Sequence, residues 1–150
     1  MLNMDKKLAK REEEGKIIRA GIVGAGQMGR GMVTQMALMK GIMPAIVSDI
    51  KMDNVINAFH YAGISDEDIA VAKTLEEANR YMEQGKFVAT ENSDFISHAN
   101  LVEVAIDVTG VPEVGVKIAI DAMNNKKHVV MMDVETDVVI GSYLKKLGDR

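Results

Sequence analysis

Three glycines at fixed spacing, Gly24, Gly26 and Gly29, follow directly on an apolar stretch holding Ile17, Ile18, Ile22 and Val23. They precede Met28, Met32, Val33, Met36 and Met39, which recur at helical spacing. A G-x-G-x-x-G turn between a strand and a helix is a dinucleotide-binding fingerprint, and each glycine has a physical reason. The first permits the tight turn, the second lets the backbone approach a pyrophosphate, and the third lets the helix pack closely on the strand. The free amides and positive dipole end of the helix then face the phosphates. Gly24, Ala25, Gly26, Gln27, Met28 and Gly29 are the candidate phosphate-binding residues. Asp49 closes the next apolar run, Ala45-Ile46-Val47-Ser48, and lies 20 residues beyond Gly29, where an acid reaches an adenosine ribose hydroxyl. A cap or loop acid after the second strand is the alternative for Asp49.

Along the chain, residues 5–15 read as a charged helix with a solvated face, stopped by Gly15. Strands are expected at 17–23, 44–49, 86–90, 101–108 and 128–132, with Pro44 at the first position of the second. Helices are expected at 27–40, closed by Gly41, at 53–62, within 66–84, at 112–124 and at 137–147. Thr74 and Glu77 are spaced as a capping box inside the 66–84 segment. This order predicts an α/β fold, a doubly wound, mostly parallel sheet of about five strands with helices on both faces. Ligand belongs at the carboxyl ends of the strands, at the switch point beside strand one. One strand fewer than the full six-stranded arrangement leaves a sheet edge open to self-association, so a homo-oligomer is a candidate assembly.

Composition narrows the function. The 150 residues are 47% apolar and 27% charged with net charge −4, which gives no general attraction to nucleic acid or to an anionic membrane surface. With no cysteine there is neither a disulfide framework nor a thiolate site, and a cytoplasmic location follows as the expectation. The first sixteen residues lack the apolar core of a secretory signal, and no later apolar run reaches membrane-spanning length. His60, His98 and His128 are scattered without an i, i+4 partner, so no metal site is expected. The twelve methionines read as adaptable core filling.

Three stretches carry a resemblance to a family. Arg11 to Gly15 leads into Ile18-Arg19-Ala20-Gly21-Ile22-Val23-Gly24-Ala25-Gly26; the others are Ile106-Asp107-Val108-Thr109-Gly110-Val111-Pro112-Glu113-Val114-Gly115 and Lys127-His128-Val129-Val130-Met131-Met132-Asp133-Val134-Glu135. Together they resemble the homoserine dehydrogenase-like NAD(P) oxidoreductases, within the group that often carries a C-terminal SAF domain and includes a reductoisomerase-like enzyme. The resemblance implies a Rossmann domain that holds the nicotinamide nucleotide. A C-terminal half, absent from this chain, would supply the substrate contacts and catalytic groups. By position, Gly24 to Gly29 hold the pyrophosphate, Asp49 the ribose, and Val108, Thr109, Gly110 and Val111 the middle of the cofactor. Met132, Asp133 and Glu135 come near the nicotinamide. Where homoserine dehydrogenases carry a lysine-containing motif after the fifth strand, Asp133-Val134-Glu135-Thr136 stands here, which points away from homoserine as substrate.

Read this way, residues 1–16 form a charged N-terminal helix and 17–150 an NAD(P)-binding domain. The expected function is hydride transfer between NAD(P) and a small polar metabolite, phosphorylated or unphosphorylated. An acid at Asp49 favours NAD over NADP, although Lys51 is placed to meet a 2′-phosphate. Asp133 and Glu135 read equally as cleft residues or as caps of the last helix. The rival reading is a non-catalytic module that senses nucleotide or redox state through the same fold. Isomerisation coupled to reduction follows from the resemblance alone.

Overall fold

The computed structural model describes residues 3–149; the ends of the two expected segments, residues 1–2 and 150, lie outside it. Helix α1 (Met4–Glu13) precedes a repeating strand and helix pattern. The strands are β1 (Ile18–Val23), β2 (Ile42–Ser48), β3 (Ile69–Val71), β4 (Phe87–Thr90), β5 (Val104–Asp107) and β6 (His128–Met131). The remaining helices are α2 (Gln27–Leu38), α3 (Met52–Tyr61), α4 (Leu75–Glu83), α5 (Asp94–His98), α6 (Pro112–Asn124) and α7 (Val134–Gly148). All strand pairs are parallel and the spatial order is β3-β4-β2-β1-β5-β6, a Rossmann-like sheet. Among the described residues no helix is long and apolar enough to cross a membrane.

Alternation along the strands divides the core into two layers. Ala20, Ile22, Val47, Ala89 and Ile106 join Val33, Met36, Val55 and Phe59 of α2 and α3 on one face. Val23, Ile46, Val88 and Ala105 join Ala78, Met82, Ile96 and Ile118 of α4, α5 and α6 on the other. Phe59 is completely buried with its ring 5.8 Å from that of Phe87. Of the methionines, Met36 and Met82 fill the core as expected, whereas Met28 and Met39 are exposed.

The sheet has one strand more than the sequence pattern indicates. β3 falls inside the segment expected to be helical at 66–84; there a short 3-10 turn at Asp66–Asp68 leads into Ile69-Ala70-Val71, which adds to the outer edge of β4. Three residues are too few for a periodicity to distinguish strand from helix. The helix begins only after Thr74, whose Oγ1 accepts the amide of Glu77, as the capping-box spacing requires. Glu77 reaches back to the amide of Lys73, one residue earlier than the reciprocal bond of a full box.

Pro44 also departs from expectation: it is the third residue of β2, not the first. It lies opposite Ala20, and the register then slips, so that Gly21 faces Ile46. With no N–H to donate, proline is accommodated at a bulge, and Ala45 and Ile46 consequently turn to the same face. The fifth strand is shorter than its apolar run, because Leu101 and Val102 form the turn before it. The Lys127 ammonium fixes that turn, donating to the carbonyls of Ala99 and Val102 at 2.5 and 2.8 Å.

Helix α1 has no buried residue, yet it is not merely solvated. Glu12 accepts the amide of Gly41 at 2.9 Å, and Arg11 donates to the Lys16 carbonyl and pairs with Glu103. Gly41 has φ +72, and a Cβ there would overlap the Leu8 carbonyl, so this glycine permits α1 to dock on the strand entrance beyond the end of α2.

A candidate nucleotide site at the strand switch point

β1 is the strand from which the sheet grows in both directions, toward β2 on one side and β5 on the other. The connections leaving the carboxyl ends of these strands diverge there and leave a crevice. The structure has a cavity of about 400 Å³ at this place, walled by Val23, Gly24 and Gly26 after β1, Ser48 to Lys51 and Asn54 after β2, Glu91 and Ser93 after β4, and Val108, Thr109, Val111 and Val114 after β5.

The glycine turn has the anticipated form. Gly24 adopts φ +102, and its amide donates to the Ser48 carbonyl at 2.7 Å. A Cβ at Gly29 would overlap the Gly24 carbonyl, so the third glycine is demanded by helix-on-strand packing. Gly26 differs from both. Its φ is −67, a value any residue adopts, and a Cβ would meet no heavy atom within 4 Å. The fold gives no internal reason for glycine there, and the vacant side opens at the cavity.

Asp49 is brought to the same turn. Its Oδ2 accepts the amide of Ala25 at 2.8 Å, while Oδ1 accepts from the Lys51 amide at 2.9 Å and the Asn54 Nδ2 at 3.0 Å. The carboxylate therefore serves as the structural clasp of two loops and as part of the cavity wall. Beside it, Ser48 Oγ is buried and has no hydrogen-bond partner among the described residues, an orphaned hydroxyl in the lining.

Asp107, which is not among the residues lining the cavity, ends β5 almost fully buried. Its Oδ1 accepts from the amide and hydroxyl of Thr109 at 3.1 and 2.8 Å, and Oδ2 has no partner among the described residues. Burial pushes its carboxyl above the usual range; the Thr109 bonds pull the other way, and the nearby Asp133 adds to the rise. Thr109 Oγ1 also accepts the Val111 amide, shaping the turn through Gly110, which has φ +66. A Cβ at Gly115 would run into Asp107 Oδ2, which explains the glycine in the first turns of α6.

The expected residues thus divide. Gly24, Gly26, Asp49, Val108, Thr109 and Val111 line one cavity, and Ala25 and Gly110 sit in its turns. Gln27 borders a shallower neighbouring depression with Arg30, Asn54 and Asn57, and Met28 points into solvent. Met132, Asp133 and Glu135 do not line the cavity. Asp133 is buried as the N-cap of α7, accepting the amide and hydroxyl of Thr136 at 3.2 and 2.6 Å. Glu135 is exposed in the first turn of α7. Ser48, Asn54, Glu91 and Ser93 in the lining were not anticipated, nor was the buried Asp107. Asp107 carried a signal nonetheless, an acid interrupting an apolar run just as Asp49 does.

No family model matches the chain, and no curated protein matches it significantly. Solved structures do match. A homoserine dehydrogenase from Thiobacillus denitrificans superposes with a TM-score of 0.62 at 15% identity, over 89% of this chain and 27% of that one. A scyllo-inositol dehydrogenase from Lactobacillus casei, with bound NAD(H) and scyllo-inositol, gives 0.60 at 16% identity, over 89% and 34%. A levoglucosan dehydrogenase in complex with NADH gives 0.51 at 16% identity, over 76% and 27%. At such identities the likeness establishes the fold, and the chain spans about a third or less of the length of these proteins.

Proposed function

We propose that this chain is the nicotinamide-dinucleotide-holding domain of an oxidoreductase acting on a small polar metabolite. Gly26 carries the reading: a glycine that neither backbone nor packing requires, at the mouth of a cavity at the sheet's switch point. The orphaned Ser48 hydroxyl lies in the same lining, and α2, whose N-cap Gly26 makes no side-chain cap bond, begins at its edge. The fold neighbours whose structures hold NAD(H) support the choice of nucleotide.

When bound, a nicotinamide ring supplies the hydride acceptor or donor. The residues of this chain bind and orient. The turn at Gly24 to Gly29 and the α2 amides receive the pyrophosphate, Asp49 receives the ribose hydroxyls while holding the turn in place, and Val108 to Val111 flank the middle of the dinucleotide. Asp49 at this position favours NAD over NADP, because a 2′-phosphate would meet a carboxylate. Catalytic groups and substrate contacts are assigned to a further domain, as the length of the fold neighbours suggests. The reductoisomerase-like affinity rests on residues 106–115 and 127–135.

Calorimetric titration of the chain with NADH and with NADPH tests the reading. Saturable NADH binding, tighter than NADPH and weakened in Gly26→Val, is expected. A folded chain that binds neither nucleotide would overturn it.

A further inference from the structure

Helix α7 is apolar on both sides. Its inner face buries Leu144 and the Thr136 side chain and half-buries Ile140 and Leu147. Its outer face leaves Val134, Val138, Val139 and Tyr143 at 67, 79, 74 and 60% exposure. Exposed apolar rows on a surface helix with no partner mark an interaction face. On the outer face the apolar residues form two i, i+4 rows, Val134 with Val138 and Val139 with Tyr143. Between them runs a row of Glu135, Ser142 and Lys146.

From this arrangement we infer that the outer face of α7 is a dimerisation surface for a second copy of this chain, packed antiparallel about a two-fold axis. The charges set the register. Glu135 and Lys146 lie about 16 Å apart along the helix, acid at the start and base at the end. An antiparallel pair centred between them places each Glu135 opposite the other copy's Lys146, forming two equivalent ion pairs across the axis. The same register sets Val138 against the other copy's Tyr143 and Val139 against its Ser142, and Ser142 is small enough to let the helices approach near the centre. A parallel pair would oppose like charges at both ends. The surface lies on α7, none of whose residues line the switch-point cavity, so the inference does not depend on the nucleotide reading.

Sedimentation equilibrium of the full chain across micromolar concentrations tests this. A monomer–dimer equilibrium is expected, weakened at least about tenfold by Val138→Asp and by Lys146→Glu, with Lys146→Glu recovered on adding Glu135→Lys. Circular dichroism verifies that each variant keeps its helix content, which the exposure of the three positions favours. A strict monomer at every concentration overturns the inference, as does a dimer indifferent to Val138→Asp or one that the charge exchange leaves weakened.

Discussion

Asp49 Oδ2 accepts the backbone amide of Ala25 at 2.8 Å, so the acid that ends β2 holds the turn that follows β1. Substituting Asp49 by alanine removes both a wall of the cavity and the clasp of the glycine turn. We expect Asp49→Ala to weaken NADH binding by more than about tenfold, whereas Asn54→Ala, which loses one of the three bonds to the carboxylate, weakens it less. Calorimetry on the two variants measures the difference. Equal losses would mean that the contact with Asn54 is the essential one.

The second and third glycines separate fold from ligand. Gly29→Ala forces a Cβ into the Gly24 carbonyl and is expected to cost about 1–3 kcal/mol of unfolding free energy. Gly26→Ala meets open space and is expected to cost about 1 kcal/mol or less. Its effect falls on nucleotide affinity instead. Urea unfolding alongside NADH titration resolves the two, and a Gly26→Ala variant with unchanged affinity would count against the cavity as the phosphate site.

Asp107 and Asp133 are expected to show opposite pH signatures. The Asp107 carboxyl is raised by burial, so the folded state prefers it protonated, and its charge costs stability once the pH exceeds the raised folded value. Relative to the native chain, Asp107→Asn therefore becomes more favourable as the pH rises from below 4 toward neutrality. Burial also disfavours the charge on Asp133, but hydrogen bonds from Thr136 and Glu135 outweigh this and hold its carboxyl below the usual range. Its contribution is present above the unfolded value and lost as the pH falls through the folded one. Asp133→Ala is expected to cost about 0.5–2 kcal/mol near neutrality and less in acid. Denaturant midpoints across pH for the two variants should diverge in these directions.

Lys127 ties the α5–β5 turn to the start of β6 through the carbonyls of Ala99 and Val102. Lys127→Met keeps the aliphatic stem and orphans both acceptors, with an expected loss of about 1–3 kcal/mol in thermal unfolding. A loss no larger than that at exposed Lys73 would show that the two bonds contribute little.

The sequence is most informative where the interaction is local. Gly24 and Gly29 can be read directly because a turn and the helix that follows it fix their surroundings within a few residues. Asp49 could be placed at the cleft, but not its bond to Ala25, which joins two loops that meet only once β1 and β2 pair. Glu91, Ser93 and Val114 escaped notice because nothing in their own segments marks them; the strand order alone brings them to the cavity. Asp133 admitted two roles, of which the structure shows the cap, through its bonds from Thr136. β3 is too short to declare itself, and the Pro44 bulge is invisible without the partner strand whose register it shifts.

Helix α1 has a consequence for the order in which the molecule comes apart. Its anchors are Gly41 and Glu103, on segments that become neighbours only when β1 lies between β2 and β5, and it contributes no buried side chain. Docking of α1 is thus conditional on an assembled sheet while adding little to its cohesion. An element held in this way belongs to the least stable part of the chain, and its amides are expected to exchange with solvent before those of the central strands.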